Sequence, residues 1–377
     1  MSQTISLRPR QRGMSLIEIM VGMLVGLIGS VVIFQMYSIA DARKRTVSAG
    51  SDMDISGRLG LMVLERDLQL AGYGLGSAAA GSAGAVLGCN VTAFDSQRPG
   101  AQDFSYPLVP VLIQDGAAGA PDTLVTLRGN SSFAVTPKTI DNSTAATKRV
   151  KSDTGGRAGV QSGDVVIATR IGGVACAMFE ITSDANADQL TFDHATGTYT
   201  NAAGAGVTAR YNKAGGVGFT LTDEGTLYGL GAAPVRNIWT VQNNRLAVLN
   251  DFTSTTGVPL EAADLIVNLQ AQYGVDGDGN GMISSTEWTS AAPGDWRQLL
   301  AVRIALLARS TQFERIRVTT AAPVWSGGPF AMGDLSDPTT DSDPGGTNGN
   351  ANNWRNYRYN VFEAVVPLRN VIIGRQL

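Results

Sequence analysis

The chain is poor in the residues around which most enzymes are built. It has a single histidine, His194, which excludes a multi-histidine metal centre and the HExxH protease helix. No Gly-Lys dipeptide occurs, so the phosphate-cradling loop of P-loop ATPases is missing. No serine has glycine two residues away on both sides, so the nucleophile elbow of α/β-hydrolases is missing too. Charged residues make up only 16%, just 5 of the 29 basic residues are lysine, and the net charge is −3. With no basic block, a nucleic-acid-binding face is not expected. Two cysteines, Cys89 and Cys176, allow one disulfide at most. What is present is apolar: 44% of 377 residues, enough for a sizeable core in one large domain or two. The 45 glycines, many in small-residue runs, predict long loops. These observations predict a protein that is not an enzyme.

The N-terminus carries the strongest signal. Residues 1–13 contain Arg8, Arg10 and Arg12 and no acid. The 21 residues from Ile19 to Ile39 then carry no charge. As a helix they extend about 31 Å, enough to cross the apolar core of a bilayer. The arginines before them predict a cytoplasmic N-terminus and an exported remainder. A secretory signal peptide has a shorter apolar core and a small-x-small cleavage site, which does not follow here. An ordinary signal anchor fits the length but leaves Glu18 unexplained. A carboxylate at that edge costs about 1–3 kcal/mol, depending on depth, and such groups have partners.

Gly13-Met14-Ser15-Leu16-Ile17-Glu18 resembles the processing signal of type IV prepilins: a basic leader ending in glycine, an apolar residue, then glutamate at the fifth mature position. The resemblance implies that a prepilin peptidase cuts between Gly13 and Met14, that Met14 is N-methylated, and that Glu18 serves assembly. Met14 departs from the commoner phenylalanine. In an apolar bundle each Glu18 would neutralise the Met14 ammonium of a neighbouring subunit, offsetting its burial and fixing axial register. The spacing of Gly22 and Gly26 also suits close helix packing, although glycine is common in membrane helices.

The helix is expected to run on past the membrane, with Ile55, Leu59, Met62, Val63 and Leu70 at steps of mostly three and four residues. Gly72-Tyr73-Gly74 ends it. The small-residue stretch Gly74 to Gly88 reads as an irregular loop. Strands are then predicted at Leu108–Ile113, Thr123–Arg128, Asp164–Ile171, Gln189–Phe192, Gly206–Tyr211, Leu265–Tyr273, Ala301–Arg309 and Arg358–Pro367, with a hairpin over Val235–Gln242 and Arg245–Leu249 around Asn243-Asn244. One helix followed by many strands is α+β. The expected organisation is a leader at 1–13, a long helix at 14–73 whose part 14–40 is the membrane and filament segment, and a β-rich periplasmic or extracellular head at 74–377.

Leu64-Glu65-Arg66-Asp67-Leu68-Gln69-Leu70-Ala71-Gly72-Tyr73, Gln270-Ala271-Gln272-Tyr273-Gly274-Val275-Asp276, Tyr357-Arg358 and Val366-Pro367-Leu368-Arg369-Asn370 narrow the resemblance to minor pilins of the PilW type. That family implies a long N-terminal helix packed on a large antiparallel β-rich head. For a pilin the chain is long, which implies insertions or two lobes. The resemblance further implies priming of pilus assembly near the tip, roles in adhesion and twitching motility, and residence in the inner membrane before incorporation into the extracellular pilus. Implied partners are other minor pilins, the major pilin, the prepilin peptidase, the inner-membrane assembly platform and a tip adhesin. A minor pseudopilin of type II secretion and a membrane-anchored periplasmic calcium-dependent binding protein are the alternatives; a plain anchor does not need Glu18.

Residues 276–287, Asp-Gly-Asp-Gly-Asn-Gly-Met-Ile-Ser-Ser-Thr-Glu, fit the EF-hand calcium loop at its diagnostic positions. Ca²⁺ takes six to eight oxygens, and this spacing wraps them around one point. Asp276, Asp278 and Asn280 would give side-chain oxygens, Met282 its carbonyl, Ser284 an oxygen directly or through water, and Glu287 both carboxylate oxygens. A plain Asp/Gly/Asn turn between strands is the alternative. The flank before the loop is β-patterned, so the loop is expected on a sheet and not between two helices. An exported head sits in an oxidising compartment, where Cys89 and Cys176 are expected to pair. His194 beside Asp193 reads as a surface residue, and the acids of Asp334–Asp343 as a solvated loop.

Overall fold

The computed structural model describes residues 15–75, 87–100, 102–131, 137–144, 147–150, 159–170, 175–183, 190–216, 225–314, 316–332 and 353–374. The chain forms two compact units, Met1–Ser51 and Asp52–Leu377. One helix, α1 (Leu16–Leu70), begins in the first and ends in the second. It contains no proline, and every large apolar residue from Leu16 to Ile39 is exposed. A helix is the element that satisfies its own backbone where no water is at hand.

The second unit is β-rich. An eight-stranded sheet runs, from edge to edge, Asp103–Pro107, Asn90–Phe94, Ala175–Glu180, Val165–Arg170, Gly225–Gly231, Lys138–Ser143, Thr147–Val150 and Thr191–Asp193. All its neighbours pair antiparallel except Asn90–Phe94 with Ala175–Glu180. A five-stranded sheet runs Leu260–Asp264, Arg245–Asn250, Val235–Gln242, Thr123–Arg128 and Val111–Gln114. A four-stranded sheet runs Trp288–Thr289, Ile266–Val275, Leu299–Arg309 and Tyr359–Pro367. One long helix followed by several antiparallel sheets bears out the α+β, pilin-like expectation. Asn243 and Asn244 turn the predicted hairpin with φ of 51° and 60°, as a two-residue turn between twisted strands requires.

The last turns of α1, with Ala71 just after them, bury a stripe of Met53, Gly57, Gly60, Leu64, Leu68 and Ala71, at steps of three and four. Of the apolar residues that carried the sequence pattern, Val63 packs against this core, while Ile55, Leu59, Met62 and Leu70 are exposed. The buried face is the one that brings backbone close to the sheet. A Cβ on Gly57 would sit 2.0 Å from the Phe362 ring, so any larger residue there has to displace that ring. The stripe joins Leu246, Leu269, Ile304 and Leu306 in a core shared by the five- and four-stranded sheets.

One buried charge fixes how the helix lies. Asp67, almost at the helix end, accepts hydrogen bonds from Thr126 Oγ1 (2.6 Å), Trp239 Nε1 (2.8 Å) and Asn237 Nδ2 (3.0 Å). Arg128 Nε lies 3.6 Å from its Oδ1. Thr126 and Asn237 are directly opposite one another in the five-stranded sheet, and Trp239 is two residues on, on the same face. The helix stops at Leu70, three residues before the expected Tyr73, and Ala71–Leu75 turn away. Gly72 has φ of 79°, and its N–H donates to Leu127 O. The last carbonyls of the helix, those of Gln69, Leu70 and Ala71, accept from Asn370 Nδ2 at 3.1–3.4 Å. Groups that a helix end leaves without partners are thereby met from the far end of the chain.

Asp67→Ala leaves three buried or half-buried donors unmet. The expected loss is about 3 kcal/mol of unfolding free energy. Urea denaturation of the detergent-solubilised chain measures it, and a loss under about 1 kcal/mol would show that the carboxylate does not organise the helix–sheet contact.

Candidate functional site

Of the N-terminal site, Gly13 and Met14 lie outside the described residues. Glu18 is described and exposed. Its Oε2 accepts the Ser15 backbone N–H at 3.1 Å, and Ile19 N–H donates to Ser15 O. Ser15 and Glu18 hold the spacing of a capping box, in which the acid three residues in reaches back to the cap amide. In the single chain, then, the carboxylate rests on its own helix N-terminus, where the macrodipole favours negative charge. The Ser-x-x-Glu spacing was the sequence signal for this arrangement.

In the second unit the twelve residues 276–287 leave strand Ile266–Val275 and return into Trp288–Thr289, which pairs back on the same strand through Gly274↔Trp288 and Tyr273↔Thr289. The loop is closed by two strands of a sheet, as the sequence pattern predicted, with no flanking helices. Gly279 and Gly281 have φ of 76° and 79°, the left-handed conformation that lets the chain fold back on itself. Single ligand oxygens of Asp276, Asp278 and Glu287 lie within 4.8 Å of one another. Glu287 Oε1 accepts Gly277 N–H and Oε2 accepts Ser284 N–H. These bonds from Ser284 and Gly277 hold its carboxyl below the usual range. Asp276 Oδ2 accepts Gly281 N–H, and Asn280 Oδ1 accepts Met282 N–H. Each carboxylate oxygen has a second lone pair, so these bonds leave room for a cation.

The loop is tied to both large cores. Asp276 is fully buried, and its backbone N–H donates to Gln298 O at 2.9 Å. Gln298 closes the 3₁₀ turn Trp296–Gln298, which Asp295 caps by accepting Arg297 N–H. Trp296 packs edge-on to Tyr273 with ring centroids 5.6 Å apart. Its indole also seats Gly88, where a Cβ would come within 2.8 Å of the ring. Gly88 precedes Cys89, which is disulfide-bonded to Cys176 across the eight-stranded sheet. Trp296 packs against the core under α1 and also against the core around the disulfide. The sequence reading passed over this turn; Asp295 ahead of Trp-Arg-Gln, a capping residue before a short turn, was its signal.

Two further sequence expectations meet the structure differently. His194 is buried, not on the surface: it stacks on Phe179 at 4.2 Å between centroids and lies 2.9 Å from Lys148 Nζ. Both neighbours are far away in sequence, so the His-Asp turn alone did not show them. The acids of Asp334–Asp343 lie outside the described residues.

Residues 8–34 match the prokaryotic N-terminal methylation motif, and residues 231–370 match the family described as Type IV Pilus-assembly protein W. Comparison with curated proteins and with solved structures finds no match. The two matches bear out the resemblance to PilW-type, prepilin-like minor pilins. The second spans the strand motif at 270–276 and the C-terminal motifs at 357–358 and 366–370; the helix-end motif at 64–73 precedes it.

Proposed function

We propose that this chain is a minor pilin that primes assembly of a type IV pilus and sits near its tip, with a head held together by Ca²⁺. The observation that carries the reading is the pairing of a methylation motif at 8–34 with a match to Type IV Pilus-assembly protein W at 231–370 on one chain. The motif and the single N-terminal apolar helix fit a membrane-anchored pilin. As a minor pilin the chain associates with other pilins and with the assembly machinery. The role is structural and not catalytic.

In this reading the peptidase cuts after Gly13, and the new Met14 amine is methylated. Residues 14–40 then hold the subunit in the inner membrane, with the head from residue 74 on the periplasmic side. During assembly Glu18 exchanges its own Ser15 amide for the Met14 ammonium of a neighbouring subunit. A neutral hydrogen-bond donor is thus replaced by a charged one, which in an apolar bundle is the stronger partner. The direct test is Glu18→Ala. The variant is expected to be cut after Gly13, as intact mass shows, and to stay in the membrane, yet to be missing from sheared pili and to lower pilus number. Wild-type piliation and incorporation would reduce α1 to a plain anchor.

The calcium reading rests on the donor set and its closeness. Oxygens bound to one Ca²⁺ at 2.3–2.6 Å lie at most about 5 Å apart, and those of Asp276, Asp278 and Glu287 already do. Asp276, Asp278 and Asn280 supply side-chain oxygens, Met282 its carbonyl, Ser284 an oxygen directly or through water, and Glu287 both of its oxygens. The ion would neutralise three clustered carboxylates and stiffen the segment whose buried end, Asp276, is bonded to the turn carrying Trp296. Ca²⁺ at 100 times its dissociation constant is expected to add about 2.7 kcal/mol to stability. Thermal melts of the detergent-solubilised chain with millimolar Ca²⁺ and with chelator read this out, with Asp278→Ala and Glu287→Ala abolishing the difference. Mg²⁺ is expected to substitute poorly. A wild-type melt indifferent to Ca²⁺ would leave the loop as a turn and nothing more.

A further inference from the structure

The eight-stranded sheet ends in two short strands, Thr147–Val150 and Thr191–Asp193, and the contact between them is chemically unusual. Lys148 and His194, one on each side, are 1% and 2% exposed. The ammonium donates to Thr144 O at 2.7 Å and lies 2.9 Å from His194 Nε2. It also sits 5.2 Å from the centre of the Phe179 ring, on which the imidazole stacks. A charged Lys148 can only donate, so Nε2 accepts and the proton of the neutral imidazole is on Nδ1. Nδ1 is buried, and among the described residues no group of another residue accepts its proton.

Among the described residues, the charge that acts on the ring is that of Lys148 and not that of a carboxylate. The charged groups on the elements packed here are Lys148 and Arg149 on one strand, Asp193 on the other, Glu180 beside Phe179, and Lys138 and Asp141 on Lys138–Ser143, which pairs with Thr147–Val150. Glu180 is committed to Tyr199 Oη and to the amides of Arg210 and Tyr211. Arg149 and Asp193 are at the half-buried positions of their strands, which alternate with the buried Lys148 and Phe192. A proton on the imidazole would therefore remove the acceptor that Lys148 uses and set two buried cations in contact.

We propose that Lys148 and His194 form an acid-sensitive latch, which holds the edge strand Thr191–Asp193 on the sheet while the imidazole is neutral and releases it when the imidazole takes a proton. Burial, and then the Lys148 charge, depress the imidazole to about 3 in the closed state. Once the strand opens, the ring returns to its ordinary value near 6.5. The open state thus binds more protons between those values, and closure weakens as pH falls from 6.5 towards 3. At pH 7 the latch is shut. Opening would also expose the unpaired edge of Thr147–Val150, a surface that pairs readily with other strands.

His194 is the sole histidine, so its ring signals in NMR are unambiguous. Using the full chain in detergent micelles, hydrogen exchange is measured at pH 7 and pH 5 and converted to protection factors, which removes the intrinsic pH dependence of exchange. The expected result is a loss of protection of about 20- to 30-fold at residues 191–195, with the strands on the far side of the sheet unchanged. His194→Gln should remove this dependence. Lys148→Met, which leaves the imidazole without its cationic neighbour, should shrink it. An imidazole titrating near 6.5 while residues 191–195 keep their protection would overturn the latch. So would His194→Gln losing as much protection in acid as the wild type.

Discussion

The head is organised around a carboxylate that has to be buried. Asp67 lies in the last turn of α1, and only one rotation of the helix brings it to Thr126, Asn237 and Trp239 together. Those donors come from adjacent strands and share a face, so a slip of one residue in either strand would remove at least one of them. With the rotation set, Gly57 and Gly60 have to face the sheet, and their lack of a side chain lets Phe362 and Leu306 reach the helix backbone. The opposite face, with Ile55, Leu59 and Met62, is consequently turned to the outside. Apolar burial supplies most of the energy of this contact, but the buried charge selects one arrangement among several apolar ones.

Much of this plan was legible in the sequence, for reasons that differ by element. Thr123–Arg128 and Val235–Gln242 match their predicted bounds to the residue, because their β-branched and aromatic content is bounded by turn residues. Other strands were not legible. Lys138–Ser143 carries Asp and Asn, and Gly225–Gly231 carries three glycines; both are strands because of the neighbours they pair with, not because of their own residues. The helix was read correctly, but its buried face was not, since glycine and aspartate carry no apolar signal. The same division holds for the candidate site. The six candidate donors of the 276–287 loop fall within twelve residues, so spacing alone proposes them, and the structure brings Asp276, Asp278 and Glu287 together. The hydrogen bond from Asp276 to Gln298 and the seat of Gly88 on Trp296 are tertiary, and no local pattern announces them.

Trp296 packs against both large cores. On one side it meets Tyr273, whose hydroxyl accepts Ile113 N–H in the five-stranded sheet. On the other it meets the segment leading into the Cys89–Cys176 disulfide. A ring so placed transmits any shift of the turn beneath it to both sides, because packed interiors deform little. That turn is bonded to the acidic loop through Asp276 N–H and Gln298 O, so a cluster of three carboxylates sits beside a ring that packs on both cores.

The closure of the helix by Asn370 bears on how the protein acquires its structure. The groups that cover the end of α1 are separated from it by about 300 residues: Asn360 bonds Asp54, and Asn370 bonds the carbonyls of residues 69–71. A ribosome makes the helix before these residues. Until the final stretch of chain is complete, the buried stripe of α1 has no Phe362 against it and its terminal carbonyls have no donor. Earlier strands meet part of the stripe, but the ring over Gly57 and the donor for the last carbonyls arrive late. Contacts that span so much of the chain are the slow ones to form. Truncation before Asn370 would leave the carbonyls of residues 69–71 without that donor, so the end of the first helix is finished by a residue about 300 positions away.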